Sequence, residues 1–325
     1  MTPDPRPADY GDGVTLEVGL FVAPQLGASY DDQLAVARAA EANGFFAFVR
    51  SDHYLPPPGF SGLPGPTDAW ITLAGLARDT SVIRLGTMVS PVTFRLPGPL
   101  AIGVAQVDAM SNGRVMLGLG AGWMESEHRA YGIPFRNPTE RFERLEEQLI
   151  IVRGLWTTPN LQTFDFDGRW YKLEACPALP KPSQFPHPPI VIGGQGLSKT
   201  PRLAARYADE VNVSPPDPMR CAKEFFRRVD AECHDIGRDP VTLRRSVTIT
   251  ALCGSATADL RRRRAAIPGP IGEPDIAGTP QQIADELLRF TEFGVNRAYL
   301  RVADLHDVEH VELLGRELLP LLRRS

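Results

Sequence analysis

The side chains able to do chemistry gather in residues 114–132, which read Arg-Val-Met-Leu-Gly-Leu-Gly-Ala-Gly-Trp-Met-Glu-Ser-Glu-His-Arg-Ala-Tyr-Gly. Glu125, Glu127 and His128 supply carboxylates and an imidazole, groups that take and return a proton. Trp123 offers either a flat wall for a ligand or plain packing. Gly118, Gly120 and Gly122 let the backbone turn sharply and let a flat molecule approach main-chain atoms without Cβ obstruction. Alone, such glycines would mean no more than a tight strand exit; next to the acids and His128 they mark a place where a strand ends and a ligand begins. A dinucleotide fingerprint is excluded, because its third glycine would fall at position 123, which is Trp, and three strand–helix units already precede it.

Two other clusters have the same character. Ser51-Asp52-His53 closes an apolar run. His53 is either a structural histidine or the group that accepts and returns a substrate proton, since an unperturbed imidazole titrates near ~6.5. Asp52 would orient or charge-tune it, or else anchor the loop. Glu127 and His128 either cap a short helix or share that proton work. Gly193-Gly194-Gln195-Gly196 precedes a helix opening at Ser198, where backbone N–H groups, with Lys199 and Arg202 on the first turn, make an anion site. His306-Asp-Val-Glu-His310 has a zinc-peptidase spelling, but a zinc site needs a third protein ligand and an open pocket. Only one helix remains after it, on the outside of the fold, so no metal is expected.

These clusters need elements to hold them. Residues 115–119 carry no charge and suit a strand buried on both faces of a parallel sheet. Seven more largely apolar runs lie at 16–22, 45–49, 83–89, 189–192, 210–213, 247–252 and 295–302. Helical spacing fills the intervals, with Thr67 capping one helix and an amphipathic stripe of Phe142, Leu145, Leu149 and Val152 marking a long one. Residues 161–173 alternate around Asp167-Gly168 as a small hairpin. Eight strands each followed by a helix is the count of a (β/α)8 TIM barrel, which needs about 250 residues. The excess fits the Pro/Gly-rich loop at 56–66, the hairpin and residues 267–278. The reading is one barrel domain over residues 14–325 behind a loose arm at 1–13. Barrel strands deliver their C-terminal ends to one mouth, which brings together Asp52 and His53, then Met88, Ser90 and Arg95, then Gly120 to Glu127, then Gly193 to Gly196. Arg95 there would pair a rim acid or hold a cofactor oxygen.

Composition excludes other classes. Formal net charge is -4 with the basic residues spread out, so neither nucleic acid nor an anionic membrane is expected as a partner. The basic run 261–264 reads as a solvated helix face. No run of about 18 apolar residues exists, and residues 1–13 hold Pro, Asp and Gly where a signal peptide would be apolar; a cytoplasmic location is expected. Cys176, Cys221, Cys233 and Cys253 are far apart and form no CxxC, which disfavours a structural zinc or a thiol mechanism.

The strand ends resemble the luciferase-like flavin-dependent superfamily, and within it the branch that uses the deazaflavin coenzyme F420. The pieces that carry the resemblance are residues 51–53, 85–95, 111–114, 117–128 and 190–194, in order across roughly residues 15–215. The resemblance implies a ring held at the barrel mouth by Asp52, Met88, Val89, Ser90, Gly120, Ala121, Gly122 and Trp123. It implies a non-proline cis peptide at Met88–Val89 under the ring, and the cofactor phosphate at Gly193, Gly194, Gly196 and Ser198. His53, Asp52 and Glu127 become the catalytic candidates for hydride exchange with a small organic substrate. FMN, which supports monooxygenation, is the alternative cofactor; a barrel that stores a flavin without turnover is the non-enzymatic one. A homodimer is also implied, with the helix faces at 101–107 and 145–152 available for it or simply covering strands.

Overall fold

The computed structural model describes residues 16–214, 218–267 and 273–322. The arm expected at 1–13 lies outside these residues, as do 268–272 of the third expected insertion. The strands are β1 Glu17–Val22, β2 Ala47–Arg50, β3 Arg84–Thr87, β4 Ser90–Pro91, β5 Val115–Gly120, β6 Phe164–Asp167, β7 Lys172–Cys176, β8 Ile190–Gly193, β9 Glu210–Val213, β10 Arg244–Cys253, β11 Ile276–Gly278 and β12 Arg297–Arg301. β1, β2, β3, β5, β8, β9, β10 and β12 pair in parallel in that order, and β12 pairs back onto β1 to close the barrel. The expected (β/α)8 barrel is thus the fold, with β6 and β7 as the antiparallel hairpin.

Strand alternation separates two cores. Val18, Leu20 and Val22 of β1, like Ala298 and Leu300 of β12, face the helices in the large outer core. The lumen holds a smaller cluster of Ala47, Val49, Met88, Met116, Val191 and Tyr299. A Cβ at Gly19 would lie 2.8 Å from the Tyr299 ring, so glycine there makes room for it. Beneath Tyr299 the floor is ionic. Arg297 donates to Glu17 at 2.6 Å and to Glu210 at 2.5 Å, and Tyr299 Oη donates to Glu210 at 3.0 Å. Each buried charge has an opposite partner, the condition under which burial is tolerable. The barrel is therefore filled from its base, and open space for chemistry is left at the C-terminal strand ends.

Several sequence expectations are corrected. The third strand, read as continuous over 83–89, is interrupted at the non-proline cis peptide that the resemblance implied at Met88–Val89: β3 ends at Thr87, and β4 resumes pairing through Ser90 with Leu119 and Pro91 with Gly120. The helix Ala69–Asp79 is capped by Asp68, which accepts from Trp70 and Ile71, and not by Thr67, whose hydroxyl accepts from buried Arg50. The run 261–264 is not wholly solvated: Arg263 is buried and pairs with Asp307 at 2.8 Å. The faces offered for dimerisation are covered within the chain, since Ala101, Val104, Val107, Leu145, Leu149 and Val152 are all buried. His306 and His310 diverge: His306 sits on the surface 3.2 Å from Asp32, while His310 is buried and accepts from the Cys253 amide. Among the described residues no helix is long and apolar enough to cross a membrane.

Candidate functional site

β2 ends in a fully buried arginine whose job is to fix the chain direction. Arg50 donates to the Ser51 carbonyl, the Gln33 side chain and both oxygens of Thr67, and burial lowers its pKa to about 10. With the strand end anchored, Asp52 turns inward and His53 toward the mouth. Asp52 is buried and accepts from Ser90 Oγ at 2.6 Å, and Ser90 Oγ in turn accepts from Trp70 Nε1 at 3.2 Å. Arg95 closes the set by bridging Asp52 and Asp68. Burial alone would depress the pKa of Arg95, but Asp52 and Asp68 outweigh it and raise it above its ordinary value. Of the two roles open to Arg95, the structure shows the ion pair. Of those open to Asp52, it shows the anchor.

His53 has a different carboxylate. Its Nδ1 lies 3.0 and 3.1 Å from the two oxygens of Glu127, and Glu127 also accepts from the Tyr54 amide at 3.0 Å. A carboxylate accepts only, so Nδ1 carries the hydrogen. Nε2 is left without a protein partner among the described residues. Glu127 is buried on the short helix Glu125–Ala130, so its role reaches beyond a helix cap. Both ring nitrogens of His128 are engaged within the chain: Nδ1 donates to the Met124 carbonyl at 2.8 Å and Nε2 accepts from Thr93 Oγ1 at 2.7 Å. Trp123 is 68% exposed and sets its ring edge-on to His53 at 5.6 Å.

The glycines surround one side chain. A Cβ at Gly120 or Gly193 would lie 2.6 or 2.8 Å from a Val89 methyl, and one at Gly118 would lie 2.0 Å from the Thr87 carbonyl oxygen. Gly118, Gly120 and Gly193 thus admit the bulge at Met88–Val89, and only Gly122, at φ 75°, makes the sharp turn, followed by Trp123. The bulge and the chain from Gly120 to Gly122 form a backbone cradle at the mouth, in which Val89 itself takes the space that a Cβ at Gly120 or Gly193 would need. At the end of β8, Gly194 donates to the Asn212 carbonyl at 3.3 Å, and the Ser198 side chain makes no cap bond to the helix Lys199–Tyr207. The two cations expected to complete an anion site there point elsewhere: Lys199 reaches Thr139 and the Phe142 ring, and Arg202 pairs with Glu146. A largely apolar depression lined by Leu197, Val213, Cys221 and Phe225 opens alongside.

Sequence reading missed Tyr54, Asp68 and Trp70. Only Asp68 left a signal, as a strong N-cap type directly before an apolar helical run. Tyr54 stacks on Phe94 at 4.6 Å and donates to Asp68, and burial pushes its phenol up to about 12.

The profile of the luciferase-like monooxygenase family matches residues 13–275. An F420-dependent hydroxymycolic acid dehydrogenase of Mycobacterium tuberculosis is 33% identical over 269 residues, covering 80% of this chain and 68% of its own. An FMNH(2)-dependent dimethylsulfone monooxygenase of Pseudomonas putida is 27% identical, covering 70% and 72%. The fold matches a solved F420-dependent secondary alcohol dehydrogenase with TM-score 0.79 at 19% identity, over 95% of this chain and 100% of that one. With the barrel, the interrupted third strand and the mouth already described, the match over most of the chain places this protein in the luciferase-like monooxygenase family.

Proposed function

We propose that the protein is a coenzyme F420-dependent oxidoreductase acting on a small organic substrate. The observation that carries this reading is the His53–Glu127 pair at the mouth, beside the backbone cradle at Val89 and Gly120. The similarity to an F420-dependent dehydrogenase supports it. Asp52, Met88, Val89, Ser90, Gly120, Ala121, Gly122 and Trp123 would hold the ring, and Gly193, Gly194, Gly196 and Ser198 the phosphate, by backbone N–H groups rather than by Lys199 or Arg202. When bound, the deazaflavin supplies a hydride-carrying carbon. The chain supplies the proton site: Glu127 holds Nδ1–H, which makes Nε2 the atom that takes the proton of a substrate hydroxyl or returns it to a carbonyl. Asp52, held by Ser90 and Arg95, keeps the strand end rigid beneath them.

A spectroscopic titration with F420 and with FMN tests the reading. Saturable F420 binding with weaker FMN binding is expected. Tight FMN binding with no F420 affinity would overturn it in favour of a monooxygenase. Turnover separates an enzyme from a flavin store, because a store would leave the bound cofactor unreduced by any metabolite.

We also propose a homodimer. Ile71, Val82, Leu96 and Ile102 are 77%, 72%, 63% and 48% exposed on or beside the helices Ala69–Asp79 and Pro97–Met110, apolar side chains that a second copy docked on these helices would cover. Light scattering at micromolar concentration should give the mass of two chains; the mass of one would end this proposal.

A further inference from the structure

On β12, Arg297, Tyr299 and Arg301 share the lumen face by strand alternation, while Ala298 and Leu300 face the outer core. The two arginines have opposite circumstances. Arg297, at the floor, is saturated by Glu17 and Glu210. The side chain of Arg301, at the mouth, makes no hydrogen bond or ion pair with any described residue, and its buried Nε has no partner. Asp275 acts on it only from beyond ion-pair distance, and its carboxylate already accepts from the Thr250 amide at 2.6 Å. Arg50 and Arg114 are compensated by side-chain and carbonyl oxygens and Arg263 by Asp307, and even Arg141, whose Nε is likewise unpartnered, donates to the Arg136 carbonyl and lies over the Phe135 ring. A guanidinium drawn out of water without an acceptor is unfavourable, and one facing a ligand mouth has its missing acceptor supplied by what enters.

Position decides what enters. Around the barrel, β12 is four strands from β5 in either direction, through β1, β2 and β3 or through β10, β9 and β8. Arg301 therefore faces the cradle at Gly120 from across the mouth, in register with Phe21 of β1 and Thr250 of β10. His53 leaves β2, between the two. We infer that Arg301 receives an oxyanion of the substrate, so that the substrates of this protein are small molecules carrying a carboxylate or phosphate group besides the carbon that reacts. This rests on the oxidoreductase reading for the ring's placement. The same oxyanion chemistry could come from the cofactor's own phosphate tail, a source the test separates.

The experiment is calorimetric titration of inorganic phosphate and of acetate into the protein, with and without bound F420, for the wild type, Arg301→Gln and Arg301→Lys. Wild type should bind at least one anion at millimolar concentration in both forms. Arg301→Gln should weaken that binding by roughly tenfold or more, with F420 affinity unchanged, and Arg301→Lys should retain most of it. Absence of anion binding in the wild type, or equal binding by Arg301→Gln, would overturn the inference. So would anion binding confined to the apoprotein together with weakened F420 affinity in Arg301→Gln, because the cofactor tail would then occupy the site. If the protein takes no F420 at all, the oxidoreductase reading fails, and the apoprotein titration still decides whether Arg301 is an anion receptor.

Discussion

Replacing His53 by Ala is expected to slow single-turnover reduction of bound F420 by roughly 10²–10⁴-fold while leaving F420 affinity unchanged. The size follows from removing the atom that the mouth places to carry the substrate proton. Unchanged affinity follows from the proposed ring contacts being largely backbone ones at Met88–Ser90 and Gly120–Gly122. Glu127→Gln should give a smaller loss. It keeps the side-chain length, and its amide can still present an acceptor to Nδ1–H. If His53→Ala turns over like the wild type, the proton must pass through another group and the pair with Glu127 is structural.

That pairing shows what the sequence could and could not convey. The eight strands were legible because strands buried on both faces are mostly apolar, as at residues 115–119 and 189–192. Asp52, His53 and Glu127 were legible as candidates because barrel topology sends strand ends to one mouth. Which carboxylate meets His53 was not, since adjacency made Asp52 the natural partner while the short helix bearing Glu127 supplies the actual one from 74 residues away. The same holds for Arg95, whose partners Asp52 and Asp68 are fixed by the packing of three loops. The interruption at Met88–Val89 breaks strand pairing without breaking the apolar run, so periodicity passes over it. β11, of three residues, is too short to show a period at all. Arg301 leaves only a partial trace: arginines four apart on one strand share a face, but which of them meets acids is decided by the neighbouring strands.

Acid should destabilise the wild type more than a His310→Gln variant. His310 is buried on the helix Val308–Leu313, where its Nε2 accepts from the Cys253 amide at 2.9 Å. Arg263 faces it from the helix Thr257–Ala266 and Asp307 from the N-cap of its own helix, Arg263 donating both to Asp307 and to the Cys253 carbonyl. Burial first, and then the positive charge of Arg263, lower its pKa to about 4, against the opposing pull of Asp307. Protonation would also set an N–H against the Cys253 N–H. Because the folded value lies below the unfolded one of ~6.5, the unfolded chain binds the extra proton between these values. The stability that neutral His310 confers is therefore complete above pH ~6.5 and is lost as pH falls through about 4. A shift of this size corresponds to roughly 3 kcal/mol of unfolding free energy. The glutamine side chain of the variant would keep an acceptor for the Cys253 amide and has no charge to gain. Urea unfolding at pH 7.5 and pH 4 should show the wild type losing about 3 kcal/mol more than the variant over this interval. Equal losses would mean that acid sensitivity resides in the carboxylates alone and that His310 is free to charge within the fold.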